Sequence, residues 1–160
     1  MRSGQSARWW LATLGLTAVR LWLAAWVPLG DDEGYYWVWS RHLAASYYDH
    51  PPLVALLVAL STRTVGDSLL ALRLPFVICG TLAVFALRAL VEEVTGDAGF
   101  AARSSLAFQV VPIFFALGFM VIPDTPLLLC WFLAGRAAWR VAHRPDRGSA
   151  ARLGLAFGFA

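Results

Sequence analysis

Between residues 31 and 52 the chain reads DDEGYYWVWSRHLAASYYDHPP, and most of its chemically active side chains in the first half lie there. The stretch holds four carboxylates (Asp31, Asp32, Glu33 and Asp49), two histidines (His42 and His50), Arg41 and six large aromatic residues. A further carboxylate, Asp124, stands alone between two apolar runs, in Pro123-Asp124-Thr125-Pro126. A carboxylate shielded by aromatic rings is suited to take a proton from a hydroxyl or amine nucleophile, so Asp32-Glu33 reads as a general base. The competing reading is helix capping: Asp31 or Asp32 can cap a short helix, and Asp124 another. Asp49-His50 precedes Pro51-Pro52, which forces the preceding backbone to be extended and holds both side chains rigidly. That pair is suited to a sugar hydroxyl, a phosphate or a metal, although two ligands alone do not make a metal site. A solvated turn is the alternative.

What surrounds these residues is apolar. Of 160 residues, 59% are hydrophobic and 14% charged, against about 25% charged in soluble domains. Mean hydropathy is +0.64, which places the chain in the membrane class. All 13 basic side chains are arginine, and the net charge is +3. The arginines are scattered among apolar runs, which excludes a nucleic-acid face. Cys79 and Cys130 sit inside apolar stretches as packing residues, with no disulfide or metal spacing.

Residues 9–29 form an apolar run of 21 residues, about 31 Å as a helix and enough to cross a bilayer core. Its length, the interruption by Arg20 and the lack of a cleavage site argue against a signal peptide. Residues 32–46 read as a helix lying in the membrane interface, with Tyr36, Trp39 and Leu43 on one face. Residues 52–65 are too short to span and read as a second interfacial or re-entrant helix. Further spans are expected at 69–91, with Arg73 and Arg88 snorkelling to opposite surfaces, at 100–122 with a kink at Pro112, and at 125–143. A fifth begins at 152–160, as in the N-terminal piece of a longer protein. The expected fold is an all-α polytopic membrane bundle with interfacial helices in its first external loop.

This topology puts nine arginines on or near the cytoplasmic side and three near the other, in line with the positive-inside rule. It sets the N-terminus in the cytoplasm and brings the 31–52 loop and Asp124 to one face, the outer one. Arg20 lies mid-span, where a charge costs roughly 2.5–3.5 kcal/mol even on the lenient insertion scale. It either turns inward to a carbonyl or another helix, or lines a polar cavity opening toward the loop.

The order of motifs resembles a known family. An acidic pair ends the first span, followed by YYWVWSRHL, YYDHPPL, Arg73-Leu74-Pro75 and PDTPLLL. This resembles the N-terminal part of the GT-C membrane glycosyltransferases of the protein O-mannosyltransferase and aminoarabinose lipid A transferase superfamily, over about residues 10–145. The resemblance implies a polyprenyl-phosphate sugar donor and a lipid, glycan or protein acceptor outside the cytoplasm. It implies catalytic roles for Asp32, with Glu33 beside it, and for Asp124. It sets Asp49 and His50 near the donor phosphate; some relatives carry Lys where His50 stands, and histidine differs in having a pH-dependent charge. Tyr36 and Arg20 join them as substrate-binding candidates. A divalent metal stays open as a cofactor, because relatives differ in metal use. The expected compartment is a bacterial inner membrane. A non-catalytic transporter or assembly subunit, or an inactive fragment of the enzyme, is the rival; the transporter would carry its charges inside the spans, where only Arg20 fits.

Overall fold

A computed structural model describes residues 2–48, 50–143 and 147–158. The described residues are all-helical, with no strand among them. The helices are α1 (Arg2–Trp26), α2 (Asp31–Arg41), α3 (Leu53–Val65), α4 (Leu69–Thr95), α5 (Ala98–Val110), α6 (Pro112–Leu117), α7 (Asp124–His143) and α8 (Arg147–Gly158). By itself α4 is long and apolar enough to cross a bilayer. From Ser6 onward, α1 meets the same standard together with α2, which is bent from it by 77°.

A polar seam runs down one face of α1. Trp9 Nε1 donates to Ser105 Oγ at 2.9 Å, Gln109 Nε2 donates to Thr13 Oγ1 at 3.2 Å, and the Thr17 and Thr81 hydroxyls lie 3.3 Å apart. Positions 9, 13 and 17 repeat every four residues, so they stack on one side of the helix. They tie α1 to α4 and α5 through hydrogen bonds.

In α4, Pro75 removes the amide that would bond Ala71 O. Ser61 of α3 supplies the missing donor, its Oγ lying 2.5 Å from that carbonyl. Ser68 caps the start of α4 by accepting from Ala71 N at 3.2 Å. A core of Tyr36, Trp39, Val54, Val58, Phe76 and Val121 then joins α2, α3, α4 and the segment before α7.

Three expectations are corrected. The stretch 100–122 is not one kinked helix: α5 stops at Val110, Val111 is extended (φ −65°, ψ 123°), and α6 restarts at Pro112. The cause is local, since proline drives the residue before it out of the helical region. Leu43 lies beyond the end of α2 and is exposed. The Tyr47 hydroxyl sits 3.1 Å from both Trp39 O and His42 O and accepts from Ala44 N, which ends the helix near Arg41. Arg73 does not snorkel but is 1% exposed, while Arg88 rests 4.1 Å from the Trp9 ring centroid.

Backbone contact between α4 and the end of α6 requires two glycines. A Cβ on Gly80 would stand 2.6 Å from Gly118 Cα, and one on Gly118 would stand 2.5 Å from Arg20 Nε. Gly80→Ala is therefore expected to lower stability by about 1–3 kcal/mol through overpacking against backbone. Gly15→Ala, where nothing lies within 4 Å, is expected to be neutral or slightly stabilising. Thermal unfolding of both variants in one detergent checks the difference, and equal melting temperatures would refute the close packing.

Candidate active site at the α1–α2 junction

The junction of α1 and α2 is held by a side chain from a third helix. Arg73 reaches across from α4 and uses all five of its N–H donors. Nε donates to Glu33 Oε1 at 2.8 Å and Nη2 to Glu33 Oε2 at 2.5 Å, a bidentate pair. Nη1 donates to Val27 O at 2.6 Å and Ala24 O at 3.3 Å, and Nη2 also donates to Pro28 O at 2.9 Å. Those three carbonyls lie at the end of α1, where helix carbonyls lack intrahelical partners and a cation suits the helix dipole.

Glu33 is matched as fully. Besides Arg73, its Oε2 accepts from Gly30 N at 3.0 Å and its Oε1 from Val121 N at 3.0 Å. Four donors fill the four acceptor positions of the carboxylate. Glu33 and Arg73 are each 1% exposed. Glu33, rather than Asp31 or Asp32, thus satisfies the free amide at the start of α2. Burial alone would push its carboxyl up. The hydrogen bonds from Arg73, Gly30 and Val121, together with the arginine charge, outweigh that and hold it below its ordinary value of 4.5.

The sequence pattern expected a base shielded by aromatic rings. The shielded carboxylate is Glu33, and it is committed to Arg73. Asp32, its neighbour in the first turn of α2, is exposed, as is Asp31. Tyr36 is buried, and its ring lies 5.6 Å from that of the half-buried His50. Trp39 packs beside both, its centroid 5.5 Å from Tyr36, 6.0 Å from His50 and 4.1 Å from the stacked Tyr47 ring. Asp49 lies outside the described residues.

The Glu33–Val121 bond brings the second acidic motif to the same end of the protein, because Asp124 follows three residues later and opens α7 on the surface. Two further bonds pin that segment. Thr125 Oγ1 donates to Leu117 O at 2.5 Å, and Arg20 Nε donates to Phe115 O at 3.3 Å. Arg20 thus turns inward to a carbonyl, at 1% exposure, with its guanidinium 5.0 Å from the Phe115 ring. Its Nη1 has no hydrogen-bond partner among the described residues. An apolar groove of about 470 Å³ opens beside the site, lined by Pro51, Pro52, Leu56, Pro123, Pro126 and Leu127. Among the described residues no three His, Cys, Asp or Glu side chains gather as a metal ion would require.

Sequence reasoning missed what Arg73 does. The available signal was a charge one turn into an apolar helix, a position that ordinarily needs a buried partner. Nothing in the sequence singled out Val121, which acts through its backbone.

Residues 49–160 match the family described as dolichyl-phosphate-mannose-protein mannosyltransferase. The chain belongs to that family, a family of membrane-integral glycosyltransferases of the GT-C type. The match contains His50, Arg73 and Asp124, and it begins after Asp32 and Glu33. No match was found among curated proteins or among solved structures.

Arg73→Met is expected to destabilise by about 3–5 kcal/mol, because it leaves Glu33 buried and unpaired. Adding Glu33→Gln should restore part of that loss. Chemical or thermal unfolding of the two single variants and the double variant measures the coupling, and strict additivity would contradict the pair. The same bond sets an acid limit. With the folded-state pKa of Glu33 depressed, its contribution is complete above about 4.5 and is lost as pH falls through the folded value. Melting temperatures of the wild type should therefore drop below pH 4.5 more steeply than those of Glu33→Gln; parallel curves would contradict this.

Proposed function

We propose that the protein transfers a sugar from a polyprenyl-phosphate carrier to a hydroxyl or amine of a lipid, glycan or protein acceptor on the outer face of a bacterial inner membrane. The observation that carries this reading is the division of labour between adjacent carboxylates. Glu33 is consumed by Arg73, which fixes the first turn of α2 and leaves Asp32 exposed beside it. The family description names a dolichyl-phosphate-mannose donor and a protein acceptor, which supports the same class of donor here.

In the proposed reaction the acceptor oxygen or nitrogen attacks the anomeric carbon. The bond from that carbon to the carrier phosphate breaks, and the lipid phosphate departs with its electron pair. Asp32 takes the acceptor proton as general base. Asp124 orients the acceptor or sugar. The resemblance assigns His50 and Asp49 to the donor phosphate, where an N–H donated by the His50 ring would offset its growing charge. The Tyr36 ring packs against His50. Glu33 and Arg20 are positioning residues, the first through α2 and the second through the segment leading to Asp124. The groove between α3 and α7 suits the apolar tail of the donor. In this reading α1, α4, the broken α5–α6 pair and α7 cross the membrane with the N-terminus inside, and α2 and α3 lie in the outer interface.

Full-length protein in native-like membranes would be given radiolabelled donors differing in sugar and carrier length, with Asp32→Asn beside the wild type. Transfer by the wild type and a loss of about 100-fold or more in the variant, at equal expression, is the expected result. Equal transfer by both proteins would remove Asp32 from the chemistry. No transfer from any donor would favour a transporter or assembly subunit instead.

A further inference from the structure

At the far end of α4 a group of charges is left unused by glycosyl transfer. Glu92 follows Arg73 by 19 residues, about 28 Å of helix and close to the thickness of a bilayer core. Its neighbour Glu93 is taken up by α7, accepting from Arg136 Nε at 2.6 Å and from Arg140 Nε. Glu92 instead lines a cavity of about 600 Å³ between α1, the end of α4 and the start of α5, with Arg88, Asp97, Arg103 and Ser6. The rest of the wall is glycine and alanine, and the wall as a whole is more polar than apolar.

These charges are not spent on one another. Arg88 and Glu92 stand one turn apart on α4, where an ion pair is ordinarily available. Arg88 instead lays its guanidinium over the Trp9 ring, 4.1 Å from the centroid. Asp97 caps α5 with one oxygen, Oδ1 accepting from Gly99 N at 2.8 Å and from Phe100 N at 2.9 Å. Those two amides, with the Arg103 charge, hold its carboxyl below the ordinary 3.8. Asp97 Oδ2 accepts no hydrogen bond, and Arg88, Glu92 and Arg103 make no hydrogen bond or ion pair, among the described residues.

We propose that this cavity binds the headgroup of a zwitterionic, amine-bearing phospholipid, phosphatidylethanolamine, in the leaflet opposite the candidate active site. The inference rests on α4 crossing the membrane, as in the reading above. Two guanidinium groups and two carboxylates give the wall no net charge, which matches a headgroup that carries one phosphate and one ammonium. The phosphate pairs with Arg88 and Arg103. The ammonium, with three N–H donors, pairs with Glu92 and Asp97 Oδ2. An anionic lipid would satisfy the arginines but bring its phosphate up to two unpaired carboxylates. A choline headgroup has no N–H to give them. The lipid, rather than free phosphoethanolamine, is favoured by the exposed apolar side chains beside the cavity. Trp10 lies one turn from Ser6 on the same face of α1, and Phe100 lies in the first turn of α5. Both offer a surface to acyl chains, and tryptophan is suited to the headgroup level.

The test uses full-length protein purified in a neutral detergent. Phosphatidylethanolamine, phosphatidylcholine, phosphatidylglycerol and free phosphoethanolamine are titrated separately, with native mass spectrometry and melting temperature as readouts. Phosphatidylethanolamine is expected to be retained as a discrete adduct and to raise the melting temperature more than any of the other three. Glu92→Gln is expected to weaken phosphatidylethanolamine binding by about fivefold and leave phosphatidylcholine unaffected, because it removes a partner of the ammonium alone. Arg103→Gln is expected to weaken both lipids, because it removes a partner of the phosphate. Sugar transfer is expected to be unchanged in both variants. Should either fail to fold, a photoreactive phosphatidylethanolamine is applied to the wild type, and labelling within residues 6–10 or 88–103 is expected. Retention of another lipid as strong as that of phosphatidylethanolamine, an equal effect of free phosphoethanolamine, unaltered binding by Glu92→Gln, or labelling confined to other segments would each overturn the proposal. Such a failure with sugar transfer intact leaves the transfer reaction standing, because the two sites share no residue.

Discussion

Five donors of one arginine meet four carbonyl and carboxylate partners at the α1–α2 junction, and the candidate site is built outward from that meeting. A buried ion pair is costly unless every remaining donor and acceptor is satisfied. Arg73 and Glu33 meet that condition completely: the arginine closes the end of α1, and the glutamate closes the start of α2 and captures Val121 N. Lysine could not replace Arg73, because a compact ammonium offers three donors and no planar fork to match a carboxylate while also reaching three carbonyls. The 77° bend between α1 and α2 is thereby fixed by side-chain chemistry rather than by the four-residue connection alone.

The same arrangement explains how neighbouring acids in one helical turn come to differ. Asp32 and Glu33 have almost the same intrinsic acidity and are adjacent in sequence. A helix turns about 100° per residue, so one side chain faces the protein and the other faces outward. The inward residue has the longer side chain and reaches Arg73, whereas the outward one keeps its carboxylate available. Support of the turn through Glu33 thus leaves the neighbouring carboxylate at the surface.

The sequence was most informative where the cause was local. The long apolar run of α4, the short run of α3 and the aromatic polar loop were visible in composition and spacing. Pro112 signalled a disturbance, but only the extended Val111 shows that two helices result. Long-range pairing was hidden. Arg73 and Glu33 are 40 residues apart, and Val121 is 88 residues from Glu33; no periodicity relates them. Arg73 therefore looked like a surface-seeking charge, and Asp31 and Asp32 looked like caps for a helix that Glu33 in fact closes. Leu43 was placed one turn too far, because the Tyr47 hydroxyl that ends α2 is contributed from beyond the helix. Arg20 was legible as an inward-turning charge, though not its carbonyl partner in α6.

The pairing also imposes an order on biogenesis. The ribosome releases α1 and α2 well before Arg73, and Phe115 emerges 95 residues after Arg20. Until α4 arrives, the last carbonyls of α1 lack the Arg73 donors, and of its partners Glu33 has only Gly30 N, so water must supply the rest. Arg20 faces the same interval without its carbonyl. The first helix is thus made early and seated late, since the groups that satisfy its arginine and its terminal carbonyls are still being translated when it emerges.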